Sequence, residues 1–277
     1  MTDLPQLGVG LGYRRQVHDA IMAGRDGIDW LEIVTDEFMW DPGTLENLHR
    51  LREIFTIVPH GLEMSVGSDA PLDQDYLNAA AAIADAVDAP WVSDHLCFTR
   101  EGDIEIGNLT PVLRTRKKAR QIAQNAQMIQ DRLNRPFLLE NIAYYVDLPG
   151  DLSEAEFISA VLDHCDCGLL LDLNNVVVNA RNHGFHPREF VDALPLDRVV
   201  QVHLAGNSPH LLIGEVELDG HDAPVGDEVF ALLEHLVTQR IPQGVLIERD
   251  DAFPEDFTEI IDELARARTI IKAGEER

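Results

Sequence analysis

Short apolar runs alternate along the chain with longer amphipathic stretches. The runs are "LGVGL" (7–11), "DWLEIV" (29–34), "FTIVPH" (55–60), "PWVSDH" (90–95), "PFLLEN" (136–141), "GLLLDL" (168–173), "VVQVHL" (199–204) and "GVLIER" (244–249). Most are continuous rather than alternating, the pattern of strands covered on both faces in a parallel sheet. Between them the spacing predicts helices over 73–87, 110–133, 228–239 and 254–268, and another that opens at Asp151 after Pro149-Gly150. Pro111 suits the first turn of the long second helix. Eight strands alternating with helices predict an α/β fold: one (β/α)8 TIM barrel domain over residues 1–277, with a short polar tail after Ile271. The competing doubly wound sheet usually carries a glycine-rich phosphate loop after its first strand. Here "GVGLGYR" places Tyr13 where that fingerprint needs glycine, so Gly8, Gly10 and Gly12 read as close-packing positions.

Six of the runs deliver a metal-type ligand near the C-terminal end. They carry His60, His95, Glu140, Asp172, His203 and Glu248. A buried strand gains nothing from a terminal carboxylate unless something compensates its charge. In a (β/α)8 barrel the C-terminal strand ends form the mouth where active sites lie, so these six residues are expected to converge there. The loop after the seventh strand adds the D-x-H pair Asp219 and His221, and Asn175 and His183 follow Asp172. Imidazoles and carboxylates suit zinc, iron, manganese or cobalt. The set exceeds what one ion needs, so two or three ions are expected, with a carboxylate such as Glu140 bridging. Each residue taken singly has a blander reading as a hydrogen-bonded core group or a solvated turn. Six of them at equivalent barrel positions make that reading poor.

Composition narrows the partners. The formal net charge is −27, which repels phosphate backbones and disfavours nucleic acid. No apolar stretch approaches the roughly 20 residues of a membrane span. "MTDLPQLG" lacks the basic and apolar segments of a secretory signal. Three cysteines make no disulfide framework, and a cytoplasmic protein is expected. Cys97 is read as core packing, and the Cys165/Cys167 pair as a poor metal site.

Taken in order, "HGLEMSVGS" (60–68), "SDHLCF" (93–98), "LLENIAYY" (138–145), "LLLDLNNVVVNARNHGF" (169–185), "QVHLAG" (201–206), "DGHDAPV" (219–225) and "LIERD" (246–250) carry a resemblance. They resemble the multinuclear non-haem iron-dependent oxidative enzymes to which the methanobactin-biosynthesis oxidase belongs, within the xylose-isomerase-like barrel superfamily. The likeness runs from about residue 7 to residue 250. It implies a centre of two or three Fe(II)/Fe(III) ions, dioxygen as co-substrate, and oxidation of a ribosomally made precursor peptide, often at cysteine. It also implies a partner protein that binds the precursor's leader. By that likeness His60 and His95 hold one iron with Glu140 bridging, and Asp172, His203 and Glu248 complete the second. Asp219 and His221, with His183 or Asn175, serve a third or variable site, and Glu140, Asp172 and His203 carry the catalytic roles. A zinc- or manganese-dependent hydrolase or isomerase on the same barrel is the alternative, and a metal-stabilised scaffold without turnover a third reading. The barrel takes up most of the chain, so leader recognition is expected from a second polypeptide docked near the mouth. The loop at 205–219, with its Leu211-Leu212-Ile213 run, is the expected contact unless it folds back as a hairpin.

Overall fold

A computed structural model of the chain describes residues 4–40, 42–208, 212–213 and 216–277; the side chains of Pro42, Leu212 and Ile213 are also outside the described set. All eight apolar runs form strands: β1 (Gly8–Tyr13), β2 (Trp30–Val34), β3 (Thr56–His60), β4 (Val92–His95), β5 (Phe137–Glu140), β6 (Gly168–Asp172), β7 (Val199–Leu204) and β8 (Gly244–Ile247). They pair in parallel, each with its neighbours in chain order, and β1 closes on β8. The fold is therefore the (β/α)8 barrel, with helices packed around the strands. No helix among the described residues is long and apolar enough to cross a membrane.

The helices begin where their caps are encoded. Asp73 accepts from the backbone N–H groups of Asp75 and Tyr76 and starts Gln74–Val87. Ser153 and Glu156 form a reciprocal capping box at the start of Glu154–Leu162. The long helix is shorter than expected. It spans Arg116–Leu133 with Thr115 as its cap, and Pro111 lies before it. Residues Ile104–Thr110 instead form a strand that pairs antiparallel with Phe98–Glu101, turning at Gly102 (φ +58°). No element was expected over residues 98–109; Ile104 and Ile106 alternate at strand period, and the Glu101-Gly102-Asp103 turn closes the hairpin. At the other end, Thr258–Glu275 continues the last helix through most of the polar tail expected after Ile271.

The loop at 205–219 does contain a hairpin, in which Leu212–Ile213 pairs with Val216–Glu217. His210 and Leu211 lie outside the described residues. Asn182 exchanges two hydrogen bonds with the backbone of Glu217, which ties the hairpin's second strand to the helix Leu173–His183.

One ionisable group in the outer shell predicts a pH effect. Glu154 is half-buried and its Oε2 has no hydrogen-bond partner. Burial raises its pKa to about 7, against the opposing pull of Arg114 and Tyr144. The native state therefore holds a proton that the unfolded chain releases near the ordinary carboxyl value. The resulting advantage is fully present below that value and is lost as pH rises through 7, a swing of about 3 kcal/mol at most. Denaturant midpoints at pH 5 and pH 8 should separate more for the wild type than for Glu154→Gln. Equal separations would mean that Glu154 ionises freely.

Candidate metal centre

The strands carry the site by simple alternation. Trp30, Val58, Trp91, Leu138, Leu170, Val200 and Leu246 form a buried apolar cluster separate from the main core, contributed by seven of the eight strands or the residues leading into them. The eighth strand contributes space: a Cβ on Gly10 would lie 2.4 Å from the Trp30 ring. Side chains repeat on one face every two residues. Two positions on from Trp30, Val58, Leu138, Leu170 and Leu246 therefore stand Glu32, His60, Glu140, Asp172 and Glu248, one layer nearer the mouth. Strand register sets neighbours side by side, His95 beside Glu140 and Asp172 beside His203.

Glu140 lies at the middle of what results. Its Oε2 is 3.2 Å from His60 Nε2 and 3.4 Å from His95 Nε2, and its Oε1 is 3.3 Å from His203 Nδ1. Ser93 Oγ meets His60 Nδ1 at 2.8 Å, which turns Nε2 toward Glu140. Glu248 Oε2 lies 3.0 Å from His203 Nδ1 and 3.3 Å from His221 Nδ1. Asp172 caps the helix Leu173–His183, taking the Asn175 N–H on Oδ1, while Asn141 brackets its backbone on both sides. Four overlapping groups could each hold a metal ion: His60–His95–Glu140, Glu140–Asp172–His203, Asp172–His221–Glu248 and Glu32–His203–Glu248. Above them opens a cavity of about 480 Å³, bordered by His60, His95, Glu140, Asn175, His221 and Glu248 among others.

The electrostatics favour cations. Glu32, Glu140, Asp172, Asp219, Glu248 and Asp250 crowd one end of the barrel. The guanidinium of Arg14, paired with Asp250 and Glu248, is the one Arg or Lys among the described residues that borders the cavity. Burial alone would raise the Glu140 carboxyl, yet His95, His203 and His60 hold it down to about 2. Burial alone would lower His95, yet Glu140 and Asp94 lift it to about 9. Asp172 is raised well above its usual range by burial, with Glu140 and Asp219 adding to the effect. Protons thus partly balance the excess of carboxylates, and metal ions compete with protons for such ligands. Six buried polar atoms here have no hydrogen-bond partner: His95 Nδ1, Glu140 Oε2, Asp172 Oδ2, Asn175 Oδ1, His203 Nδ1 and His221 Nε2. Buried polar atoms are normally paired, and this cluster of exceptions fits coordination of first-row metal ions by mixed nitrogen and oxygen donors.

Of the residues read from the sequence, His60, His95, Glu140, Asp172, His203, His221 and Glu248 fall into these groups. Asp219 stands beside them, 2.8 Å from His221 Nε2. Asn175 borders the cavity and its amide nitrogen is engaged with the Asn141 carbonyl. His183 points elsewhere: its Nε2 is 2.8 Å from the Tyr144 carbonyl oxygen and its ring stacks on Tyr144. Cys97 is buried and belongs to none of the groups, and Cys165 and Cys167 sit at the start of β6, at the opposite end of the barrel. Sequence reasoning missed Glu32, Arg14 and Asp250. The available signal for Glu32 was a lone carboxylate inside the apolar run "DWLEIV".

Known proteins share this barrel. The barrel resembles solved structures of L-ribulose 3-epimerase (TM-score 0.61, 13% identity, 97% of this chain and 95% of that one) and of 3-keto-D-glucoside 4-epimerase from E. coli (0.60, 12%, 95% and 99%), likenesses of fold alone. UPF0276 proteins of Caulobacter vibrioides and Acaryochloris marina are 39% and 35% identical, over 99% and 95% of this chain and 98% and 95% of their own lengths. The family model described as RiPP precursor modification enzyme MbnB/TglH/ChrH matches residues 8–272, and the chain belongs to that family.

Proposed function

We propose that the protein is an oxygen-dependent multinuclear iron oxidase that modifies a ribosomally made precursor peptide, at cysteine. The observation that carries this reading is the sharing of ligands: Glu140, Asp172, His203 and Glu248 each belong to more than one candidate group. Ions held by groups that overlap in this way would lie close enough to act together on one substrate. His60, His95 and Glu140 would hold one ion, and Asp172, His203 and Glu248 a second bridged by Glu140. His221, with Asp219, Asp172 and Glu248, would serve a third. Bound iron supplies one-electron chemistry toward dioxygen, which zinc lacks.

The chain's own residues supply position and enclosure. Ser93 orients His60, and Asn141 with the helix N-terminus orients Asp172. Leu62, Leu109 and Val34 border the cavity beside the ligands and keep part of its wall apolar. A cavity of about 480 Å³ admits a side chain and its neighbours rather than a folded leader. Leader recognition by a second, cytoplasmic polypeptide follows as part of the proposal.

Anaerobic purification, elemental analysis and Mössbauer spectroscopy test the metal, and oxygen uptake tests the reaction. Two or three irons per chain and uptake that depends on peptide are expected, with zinc reconstitution abolishing uptake. A zinc-loaded protein that hydrolyses or isomerises its substrate without oxygen would replace this reading with the hydrolase or isomerase alternative.

A further inference from the structure

A glutamine is an odd residue for the interior of a barrel. Gln201 is fully buried on β7, two residues before His203 and close to the apolar layer of Trp30 and Trp91. Its contacts link Trp91, Glu32 and His203, and its amide nitrogen also lies 2.8 Å from His203 Nε2. Trp91 Nε1 donates to Gln201 Oε1 at 2.7 Å. An indole N–H only donates, so the amide oxygen of Gln201 must face it and the amide nitrogen must face away. That nitrogen donates to Glu32 Oε2 at 2.5 Å. Glu32 Oε1 then lies 3.0 Å from His203 Nε2.

These contacts fix the ring of His203. A bare Nε2 lone pair aimed at a carboxylate is repelled, whereas an Nε2–H is attracted and gains a charge-assisted hydrogen bond. The Gln201 amide spends a proton on Glu32. The charged carboxylate, with oxygens at 3.0 and 3.2 Å from Nε2, outweighs the neutral amide beside it. The proton therefore belongs on Nε2, donated to Glu32. Nδ1 is left bare, facing Glu248 Oε2 at 3.0 Å, Glu140 Oε1 at 3.3 Å and Asp172 Oδ2 at 3.9 Å, with no hydrogen-bond partner of its own. A lone pair among three carboxylates calls for a cation, a proton in the metal-free protein or a metal ion that displaces it. Both oxygens of Glu32 are already engaged, and Glu32 does not border the mouth cavity.

We infer that Glu32 is a positioning residue for the metal centre: held by Trp91 and Gln201, it accepts the Nε2 proton of His203 and so presents Nδ1 as the metal-binding atom. The inference rests on the metal reading of the site. A histidine ligand's outer partner sets its tautomer, its orientation and its basicity. The sequence separation between Glu32, Trp91 and Gln201 explains why no local motif reveals the arrangement.

Cadmium-113 bound to the ¹⁵N-histidine-labelled protein tests this without iron or turnover. One-bond coupling at Nδ1 of His203 is expected, with Nε2 retaining its proton. Glu32→Gln removes the charge at nearly constant shape, and its cadmium affinity should fall about ten- to a hundred-fold while circular dichroism is kept. Coupling at Nε2 would overturn the inference and make Glu32 a neighbouring ligand instead. Unchanged affinity in a folded Glu32→Gln protein would also overturn it, leaving the metal reading intact. A wild-type protein that binds no cadmium at these histidines would overturn the metal reading itself and the inference with it. The wild-type coupling decides the matter even if the variant fails to fold.

Discussion

Glu140→Gln is expected to fold and to lose most of its bound metal. Glutamine matches glutamate in volume, and the apolar layer beneath, with Leu138, is untouched. The loss follows from position. Glu140 Oε2 faces His60 and His95 while Oε1 faces His203, so one carboxylate serves two candidate groups. Changing it removes the negative charge that two ions would share, whereas His60→Ala removes one donor from one group. Outer-sphere partners alone cost about ten- to a hundred-fold in metal affinity, so a bridging carboxylate should cost at least a hundred-fold. Turnover should fall with it. Elemental analysis and competition titration read the metal, and circular dichroism reads the fold. A variant with full metal content and full turnover would show that Glu140 does not bridge.

The convergence of the six strand-end residues was legible because barrel geometry converts a linear rule, a polar residue where an apolar run stops, into spatial neighbourhood. His60, His95, Glu140, Asp172, His203 and Glu248 needed only the strand count and the direction of the strands. Glu32 escaped the rule because it lies within its run and works through His203 rather than at the rim. Gln201 escaped for the same reason. Both share the inward face, but whether a buried polar residue is a ligand, a relay or a packing compromise depends on partners far away in sequence. His183 shows the other limit of such reading. Its neighbours in sequence suggested a ligand, yet the helix that starts at Asp172 carries it a full eleven residues along to Tyr144. Sequence proximity to a ligand says little once a helix intervenes. The antiparallel hairpin over residues 98–110 was not expected, because its strands are short and largely polar and only the turn at Gly102 and the alternation of Ile104 with Ile106 mark it.

Gly206→Ala should weaken metal binding although position 206 has no side chain to offer. A Cβ there would lie 1.9 Å from the Pro224 carbonyl oxygen, 2.5 Å from its carbon and 2.7 Å from the Ala223 oxygen. All three atoms are backbone, so the segment 219–224 must move. That segment is held in a specific shape. Ala223 N–H donates to the Gly206 carbonyl, Asn207 Oδ1 accepts from Gly220 and His221, and Asp250 N–H donates to the His221 carbonyl. His221 sits at φ +46°, a left-handed conformation that a non-glycine residue keeps only when its surroundings impose it. Displacing the segment draws the His221 imidazole away from Asp172 and Glu248 and leaves His60, His95 and Glu140, on β3, β4 and β5, in place. Overpacking of this kind costs about 1–3 kcal/mol, and a clash with rigid backbone lies at the upper end. The expected outcome is a lower melting temperature together with selective loss of the ion held by Asp172, His221 and Glu248, read as a fractional drop in metals per chain. A Gly206→Ala protein with wild-type melting temperature and full metal content would mean that the loop yields freely and that His221 does not depend on it.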